Sequence, residues 1–360
     1  MAYKDHVDYD LVEAFRSGDM KQSSMATRHL PASHGIVVNP SGSWHLTSMP
    51  RISFRSVTEG PGHKPWLATW MHLKTGQPYY DVMIWDTGMA AINDLIVTGH
   101  MPITFTDDIT AHSYAQFSDP VIRESYAKGF ARLCAEHSMA ITGGETASLP
   151  YLMNPHPPAV EAPNMSATVL GILDPADREI ISGIDIGDVI MAVGSNGPQV
   201  NGTSSLIEYG LKLPDQFLTE VPGTGRTFGD LALEPTVSCA RLVEELLWVE
   251  GMPIKGLLPA TGDGLRKLFR MGNFRYVIEN WPEVPPLFRY MLTLGMPLQE
   301  VLTTFNWGAA LYLFVPAGQA NNFKIVARRV GYELHELGYV AEGEPLVDFQ
   351  PEKIGIPPRT

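Results

Sequence analysis

Apolar residues between positions 86 and 97 follow the spacing of an amphipathic helix. Met89, Ile92 and Ile96 recur at intervals of three and four residues, which places them on one helical face. Gly99 follows closely, and glycine ends many helices because it adopts the left-handed backbone conformation without strain. The pattern therefore predicts a helix that stops just before Gly99.

Other stretches give similar helical or strand patterns. Asp119 and Pro120 suit the cap and the first position of a helix, and apolar spacing continues from there to Cys134. Further helices are predicted over residues 234–248 and 323–337, and short apolar runs predict strands. The predicted strands cover residues 103–106, 139–142, 187–193, 276–279 and 309–315.

Helices and strands are mixed in both halves of the chain, which predicts an α/β (α+β) fold. A clean βαβ repeat and a GxGxxG motif after an opening strand are both missing, which argues against a Rossmann fold. A chain of 360 residues is long enough for two domains. The composition changes near Asp174 and Pro175, so we predict domains over residues 1–174 and 175–360.

Charge and composition exclude several classes of function. The net charge of −13 would repel nucleic-acid phosphates, so we expect no nucleic-acid partner. Cys134 and Cys239 lie far apart without metal-ligand spacing, which argues against a disulfide framework or a structural zinc site. The first residues show no apolar leader, and no apolar run is long enough to span a membrane. We therefore expect a cytoplasmic protein with no membrane partner.

Residues 58–64, Thr-Glu-Gly-Pro-Gly-His-Lys, form the sharpest local feature. Gly60 and Gly62 would let backbone amides approach an anion such as a phosphate. Lys64 would add a positive charge, and Glu59 could bind a magnesium ion that bridges phosphates. The alternative interpretation is a surface turn with a solvated lysine.

Two further segments carry acidic side chains. Asn93 and Asp94 lie in the first predicted helix between apolar neighbours, so one of them could face inward. Gly143 and Gly144 follow a predicted strand and precede Glu145, where glycines allow close approach of a ligand. Exposed surface positions are the alternative for both segments. Taken together, the sequence predicts four magnesium ligands, namely Glu59, Asp94, Asp107 and Glu145.

Three glycine-containing loops complete the candidate chemistry. Residues 194–202 leave a predicted buried strand and enter a helix, so their amides could meet an anion. Residues 260–264 and 304–308 are small-residue turns beside apolar sequence. Plain connecting loops are the alternative. The eleven histidines are scattered, and no order of nucleophile and base predicts covalent hydrolysis.

The order of these segments resembles the aminoimidazole ribonucleotide synthase family. Single motifs are short, but their collinear order spans nearly the whole chain. The similar segments are YKD at residues 3–5, VDYD at 7–10, TEGPGHK at 58–64, INDL at 92–95, GGETASLP at 143–150, GDV with GSNGPQVNG at 187–202, TGDG at 261–264 and TFNWG at 304–308.

The resemblance implies two α/β domains and a homodimer whose N-terminal strands close a β-barrel between subunits. It implies ATP and Mg²⁺ near that interface, and ring closure of formylglycinamidine ribonucleotide as the reaction. Small-molecule partners would be ATP and a phosphoribosyl substrate. The implied catalytic residues are Lys64, Asp94 and Glu145; the implied ATP-binding residues are Gly60, Gly62, Lys64, Asn93, Gly143 and Gly144; the implied substrate-binding residues are Gln199, Asn201, Thr261 and Asn306.

The chain departs from the family pattern at several positions. Glu59 replaces an aspartate, Gln199 replaces a histidine, and Asp263 replaces a glycine. A small-molecule kinase on the same scaffold and a non-catalytic nucleotide-binding paralogue are therefore the alternative hypotheses.

Overall fold

Two β-sheets, one from each half of the chain, organise the fold. The computed structural model describes residue 32 and residues 34–359. In the first sheet, the spatial order of strands numbered along the chain is 1-2-3-6-4-5, with only the last pair parallel. These strands are β1 (Ile36–Val38), β2 (Trp44–Leu46), β3 (Met49–Glu59), β4 (Met101–Ala111), β5 (Ala140–Ser148) and β6 (Asn164–Leu173).

Helices cover one face of this sheet. Their bounds are α1 (Lys64–Thr75), α2 (Tyr80–Leu95), α3 (Ala115–Ser118) and α4 (Pro120–His137). Helix α2 is apolar around most of its circumference, because it packs on β3 and β6 on one side and on α4 on the other. At Gly129 of α4, a β-carbon would lie 2.8 Å from the Asp81 carbonyl oxygen, so a side chain there would push the helices apart.

In the described part of the chain, the opposite face of the first sheet (the open face) is more exposed than the helix-covered face. Strand β6 alternates buried and less buried residues, as a strand covered on one side must. Thr58, Thr106 and Thr168 form one cross-strand row on the open face, and the hydroxyls of Thr58 and Thr168 lie 2.8 Å apart. Most of β5 is exposed as well.

The second sheet lies in the C-terminal half and is mostly antiparallel. Its strands are β7 (Val189–Gly194), β10 (Gly256–Pro259), β11 (Arg275–Ile278), β12 (Ala309–Val315), β13 (Leu334–Ala341), β14 (Leu346–Phe349) and β15 (Ile354–Ile356), and a separate hairpin contains β8 (Glu220–Val221) and β9 (Arg226–Thr227). The spatial order is β10-β12-β7-β13-β11-β14-β15, in which β11 and β14 are parallel. Every residue of β12 is buried.

Shorter helices surround the second sheet. They are α5 (Thr203–Gly210), α6 (Phe228–Ala232), α7 (Ala240–Trp248), α8 (Pro286–Thr293), α9 (Leu298–Thr304) and α10 (Ala320–Arg329), together with a 3-10 helix at Gly264–Met271. Within the described part of the chain, every helix is too short or too polar to cross a membrane.

The mixed α/β class predicted from the sequence is confirmed, and so are two helix boundaries. Helix α2 continues as a 3-10 turn at Ile96–Thr98 and ends at Gly99, whose φ is 86°. Asp119 caps α4 by accepting a hydrogen bond of 2.8 Å from the amide of Val121. The sheets lie on either side of the proposed domain boundary at residue 174. The YKD and VDYD segments near the N-terminus lie outside the described residues.

Three predictions of secondary structure were wrong. Gly143 and Gly144 lie inside β5 rather than after a strand, because parallel pairing with β4 continues through them. The predicted helix at 323–337 ends at Arg329, and β13 begins at Leu334 after a turn at Gly331 with φ of 86°. The helix predicted from residue 234 begins at 240.

A buried histidine links β3 to the start of β4. In His100, Nδ1 lies 2.9 Å from the Thr98 hydroxyl and Nε2 lies 3.0 Å from the Ser53 hydroxyl. Burial lowers the pKa of His100 to about 4, against a smaller opposing effect of Glu179. Because the charged imidazolium is disfavoured in the fold, this site resists protonation.

We expect His100 to make the fold sensitive to acid. The unfolded chain binds a proton at His100 near pH 6.5 but the folded chain only near pH 4, so stability should fall as pH decreases between these values. Chemical denaturation of the wild type and His100→Asn at pH 7 and pH 4.5 measures this. The variant should lose less stability than the wild type between the two pH values; equal losses would contradict the assignment.

Candidate active site

A fully buried ion pair lies where the two halves of the chain meet. The Nζ atom of Lys64 lies 2.5 Å from Oδ2 of Asp86, and both side chains have 0% exposure. The same ammonium donates to the carbonyl oxygens of Gln199 and Glu234, each at 2.8 Å. Oδ1 of Asp86 accepts a hydrogen bond of 2.8 Å from the amide of Thr236. The pair therefore joins α1 and α2 to two loops of the C-terminal half.

This geometry does not fit the predicted contact between Lys64 and a phosphate. A lysine ammonium has three N–H donors, and three oxygen acceptors already surround this one. Burial raises the pKa of Asp86, while the charge and hydrogen bond of Lys64 and the bond from Thr236 oppose that rise. Lys64 is the first residue of α1, and its ammonium points into the interior, where these three acceptors lie.

The glycines before Lys64 have separate structural reasons. At Gly60, a β-carbon would lie 2.6 Å from the Met165 carbonyl oxygen, so only glycine lets this turn approach β6. Gly62 has φ of 60°, which favours glycine, and faces open space. The amide of Lys64 is engaged by the Pro61 carbonyl at 3.3 Å. Phosphate binding by Gly60 and Gly62 stays a prediction.

Three of the four predicted acids lie on the helix-covered side of the first sheet. Glu59 pairs with Ala167 across β3 and β6, and Ala167 pairs with Asp107 across β6 and β4. Paired residues share a face, so Glu59 and Asp107 lie on the same side as the buried Ala167. Asp94 lies in the last turn of α2, which packs on that face. Its Oδ1 atom is buried without a hydrogen-bond partner.

The fourth acid, Glu145, is not part of this group in a single chain. It pairs with Asp108, one residue beyond the pair formed by Gly144 and Asp107, so it belongs to the open face of the sheet. Gly144 is covered by Asp107, because a β-carbon there would meet Asp107 Oδ1 at 2.6 Å. Over the described ranges, no three His, Cys, Asp or Glu residues converge to hold a metal. The expected four-acid site is thus not assembled by one chain.

Two carboxylates still suit a magnesium ion that arrives with a nucleotide. Magnesium in nucleotide sites is held by one or two carboxylates, while phosphate oxygens and water molecules complete its octahedral coordination. Oδ1 of Asp94 is buried and unpartnered, and Glu59 ends the strand on which α2 packs, so these two carboxylates fit that requirement. Burial raises the pKa of Asp107, with a further rise from the charge of Asp108 and an opposing effect of its own backbone amide.

Sequence reasoning missed a buried lysine beside these acids. Lys267 is 4% exposed, and its Nζ donates to the Thr261 carbonyl at 2.5 Å and to the Thr261 hydroxyl at 3.3 Å. Burial lowers the pKa of Lys267 to about 8, whereas the charges of Asp94 and Glu59 raise it. The apolar residues Leu265 and Leu268 beside Lys267 could have indicated that this lysine is buried. They do not indicate which groups surround its ammonium.

The predicted substrate residues Asn201 and Thr261 lie together. The amide nitrogen of Asn201 donates to the Ala260 carbonyl at 2.9 Å, and its Oδ1 accepts a hydrogen bond from the amide of Gly262. Thr261 lies between these two contacts and also holds Lys267. The loop at 194–202 and the turn at 260–264 are therefore one connected unit.

Gln199 and Asn306 link the same loop to the turn at 304–308. Gln199 donates to the Ala309 carbonyl at 3.3 Å, and Asn306 donates to the Gly197 carbonyl at 3.1 Å. Gln199 Oε1 and Asn306 Oδ1 are buried and have no hydrogen-bond partner. The hydrogen bonds of all four predicted substrate residues connect three neighbouring loops, and these two oxygens remain unused acceptors among the described residues. Their role as substrate contacts stays a prediction.

Asn93 links α2 to the segment before α7. It donates to the Val237 carbonyl at 2.9 Å and accepts from the amide of Cys239 at 3.2 Å. Both ends of this amide are engaged, and the residue is 1% exposed. The structure places Asn93 as a buried brace rather than at an open nucleotide surface.

A cleft of about 630 Å³ opens between the start of α1, a loop of the N-terminal half and α5. His63 and Ser204 both line it, and His63 Nδ1 lies 2.9 Å from the Ser204 hydroxyl. Trp66 lines it and donates to the His156 carbonyl at 2.6 Å. Sequence patterns did not predict this cleft because three distant segments form it.

Comparison with known proteins agrees with this architecture. A family model described as AIR synthase related protein, N-terminal domain, matches residues 70–173. The phosphoribosylformylglycinamidine cyclo-ligase of Thermococcus kodakarensis is 30% identical over 71% of this chain and 70% of its own length. The chain belongs to the phosphoribosylformylglycinamidine cyclo-ligase family. The cyclo-ligase of Alkaliphilus oremlandii is 29% identical over 73% of this chain and 76% of its own.

Solved structures share the fold at low sequence identity. Thiamine-monophosphate kinase from Stenotrophomonas maltophilia superposes with a TM-score of 0.55 at 16% identity, covering 86% of this chain and 90% of its own. Thermotoga maritima PurL complexed with ATP gives a TM-score of 0.53 at 16% identity, covering 90% of this chain and 45% of that chain. At these identities the likeness establishes the fold of this family member and leaves its reaction open.

We expect Lys64→Met to destabilise the protein by about 3–5 kcal/mol, because Asp86 would be left buried without a counter-charge. The double variant Lys64→Met/Asp86→Leu should recover much of that loss, since neither charge remains. Urea denaturation followed by circular dichroism measures both values. If the single variant were as stable as the wild type, the structural role of the pair would be refuted.

Proposed function

We propose that this protein closes the imidazole ring of formylglycinamidine ribonucleotide in an ATP-dependent reaction. The products would be aminoimidazole ribonucleotide, ADP and phosphate. The observation that carries the proposal is the meeting of two segments at one place: Asp94 and Glu59 lie within electrostatic range of Lys267, which is bonded to Thr261 of the C-terminal half. The choice of reaction comes from the relatives, which are cyclo-ligases.

The reaction needs an activated oxygen and an aligned nitrogen. The γ-phosphoryl group of ATP would transfer to the amide oxygen of the substrate, which releases ADP and turns that oxygen into a leaving group. A nitrogen of the amidine side would then attack the activated carbon, and phosphate would leave as the ring closes. Catalysis of this kind depends on positioning and on stabilising phosphoryl charge.

The side chains supply these two functions from opposite sides of the site. Asp94 and Glu59 would hold magnesium, which neutralises phosphate charge when bound. Gln199 and Asn306 present unpartnered oxygens that would orient donor groups of the substrate. Asn201 keeps the turn at Thr261 in place through its two backbone contacts.

The open face of the first sheet supports a homodimer with an intersubunit β-barrel. The threonine row of Thr58, Thr106 and Thr168 offers a flat surface of small side chains with paired hydroxyls. Glu145 lies on this face, so a partner would bury it and could complete a site that one chain leaves incomplete. A cytoplasmic location and the two-domain division at residue 174 are part of the same proposal.

A small-molecule kinase is the second candidate. Gln199 stands where the family pattern has a histidine, and its oxygen is a hydrogen-bond acceptor that cannot titrate like an imidazole. A substrate other than formylglycinamidine ribonucleotide would then receive the phosphoryl group without ring closure. Such an enzyme would form ADP only with another acceptor.

Purified protein with magnesium, ATP and formylglycinamidine ribonucleotide should form aminoimidazole ribonucleotide and ADP in equal amounts, measured by chromatography. Asp94→Asn should lower kcat/KM by about 100-fold or more, because a charge that faces the phosphates is removed. The matched control is Glu333→Gln, which changes an exposed acid in the C-terminal half. Ring formation at the wild-type rate by Asp94→Asn would refute the role of Asp94, and ADP formation only with another acceptor would favour the kinase.

Sedimentation should give twice the mass of one chain. Thr168→Arg should shift the protein to a monomer, because a long charged side chain would stand in the middle of the open face. Thr293→Arg, at an exposed helix end in the other half, serves as the control and should stay dimeric. A Thr168→Arg protein that sediments as a dimer would refute the proposed interface.

A further inference from the structure

Lys267 is a buried cation without a counter-ion in contact. It is 4% exposed, and both of its hydrogen bonds go to neutral acceptors, the carbonyl and the hydroxyl of Thr261. Buried lysines are normally paired with a carboxylate, because an isolated buried charge is costly. In the part of the chain that the structure describes, no carboxylate lies within ion-pair distance of its Nζ.

Asp94 shows the complementary feature. Its Oδ1 atom is buried and has no hydrogen-bond partner. The charges of Asp94 and Glu59 nevertheless act on Lys267, as do those of Arg270 and Asp263, so both acids lie within electrostatic range of its ammonium. Helix α2, which carries Asp94, also contacts β10, the strand that leads into the turn at 260–264 that holds Lys267.

The positions of these groups are fixed by three different elements. Glu59 ends β3, Asp94 lies in the last turn of α2, and Lys267 lies in the 3-10 helix after the turn at 260–264. The first two belong to the N-terminal half and the third to the C-terminal half. A ligand between them would therefore contact both halves.

We propose that Lys267 binds a phosphate group of the nucleotide, while Asp94 and Glu59 face the divalent cation that accompanies it. The ligand class is a complex of a divalent cation with a polyphosphate, in which the cation meets the acids and the phosphate meets the lysine. This inference rests on the proposed ATP-dependent function. It gives Lys267 the task that the sequence assigned to Lys64, whose three donors are already used inside the protein.

A purely structural role is the competing explanation. The bond of 2.5 Å from Lys267 to the Thr261 carbonyl could serve only to hold the turn in shape. In that case, loss of the lysine would affect every ligand of the site equally. A phosphate contact would instead affect only ligands that carry phosphate.

The test compares binding of the non-hydrolysable analogue AMP-PCP and of adenosine, both with magnesium, by isothermal titration calorimetry. Lys267→Gln should bind AMP-PCP about tenfold more weakly or worse, because a charge-assisted hydrogen bond is lost, and adenosine as the wild type does. Lys267→Arg should recover part of the affinity for AMP-PCP. Lys255→Gln is the matched control, since Lys255 forms a partly exposed ion pair with Asp185.

Equal losses for AMP-PCP and adenosine, or unchanged affinity for both, would overturn the proposal. If Lys267→Gln does not fold, NMR of the wild-type protein provides the test. The 15N resonance of Lys267 Nζ should then shift on addition of AMP-PCP with magnesium and not with adenosine, and its constancy would overturn the inference. Lysine-dependent binding in a protein that forms no aminoimidazole ribonucleotide would support this inference and refute only the proposed cyclo-ligase reaction.

Discussion

The buried pair of Lys64 and Asp86 is the interaction on which the rest of the site depends. Two charges without exposure are expensive to remove from water, and the cost is offset only when their remaining donors and acceptors are also bonded. Here the remaining hydrogen bonds of the ammonium go to the carbonyls of Gln199 and Glu234, and the carboxylate accepts one from the amide of Thr236. Because these partners lie in the C-terminal half, satisfying the charges also fixes the glycine-rich loop at 194–202 against α1 and α2.

The hydrogen-bond partners of the two buried lysines, Lys64 and Lys267, distinguish a structural role from a ligand-binding role. Lys64 is enclosed by three acceptors, whereas Lys267 donates to Thr261 alone among the described residues and lies within electrostatic range of Asp94 and Glu59. The alternation of side chains along the strands places the predicted acids on different faces of the first sheet. Glu59 and Asp107 share the covered face through Ala167, while Glu145 falls on the open face, where a second subunit would be needed to bring it into a site.

Local patterns predicted the elements whose causes are local. The helix stop at Gly99 and the cap at Asp119 follow from backbone conformation and a hydrogen bond within a few residues. Gly143 and Gly144 are predicted to follow a strand, yet pairing with β4 carries the strand through them. The apolar spacing at 323–337 continues across a left-handed Gly331, where a helix gives way to a strand.

The sequence by itself determined the α/β class, the order of the motifs and the family, because these depend on residue types and their spacing along the chain. The family resemblance implies that Gln199, Asn201, Thr261 and Asn306 bind the substrate, and the tertiary structure brings their loops together. Only the tertiary structure decided which lysine is enclosed, which acids share a face and where unpartnered atoms remain. Those properties depend on tertiary contacts, such as those of Lys64 with Gln199 and Glu234, and spacing along a chain carries no information about which distant groups will neutralise each other's charge.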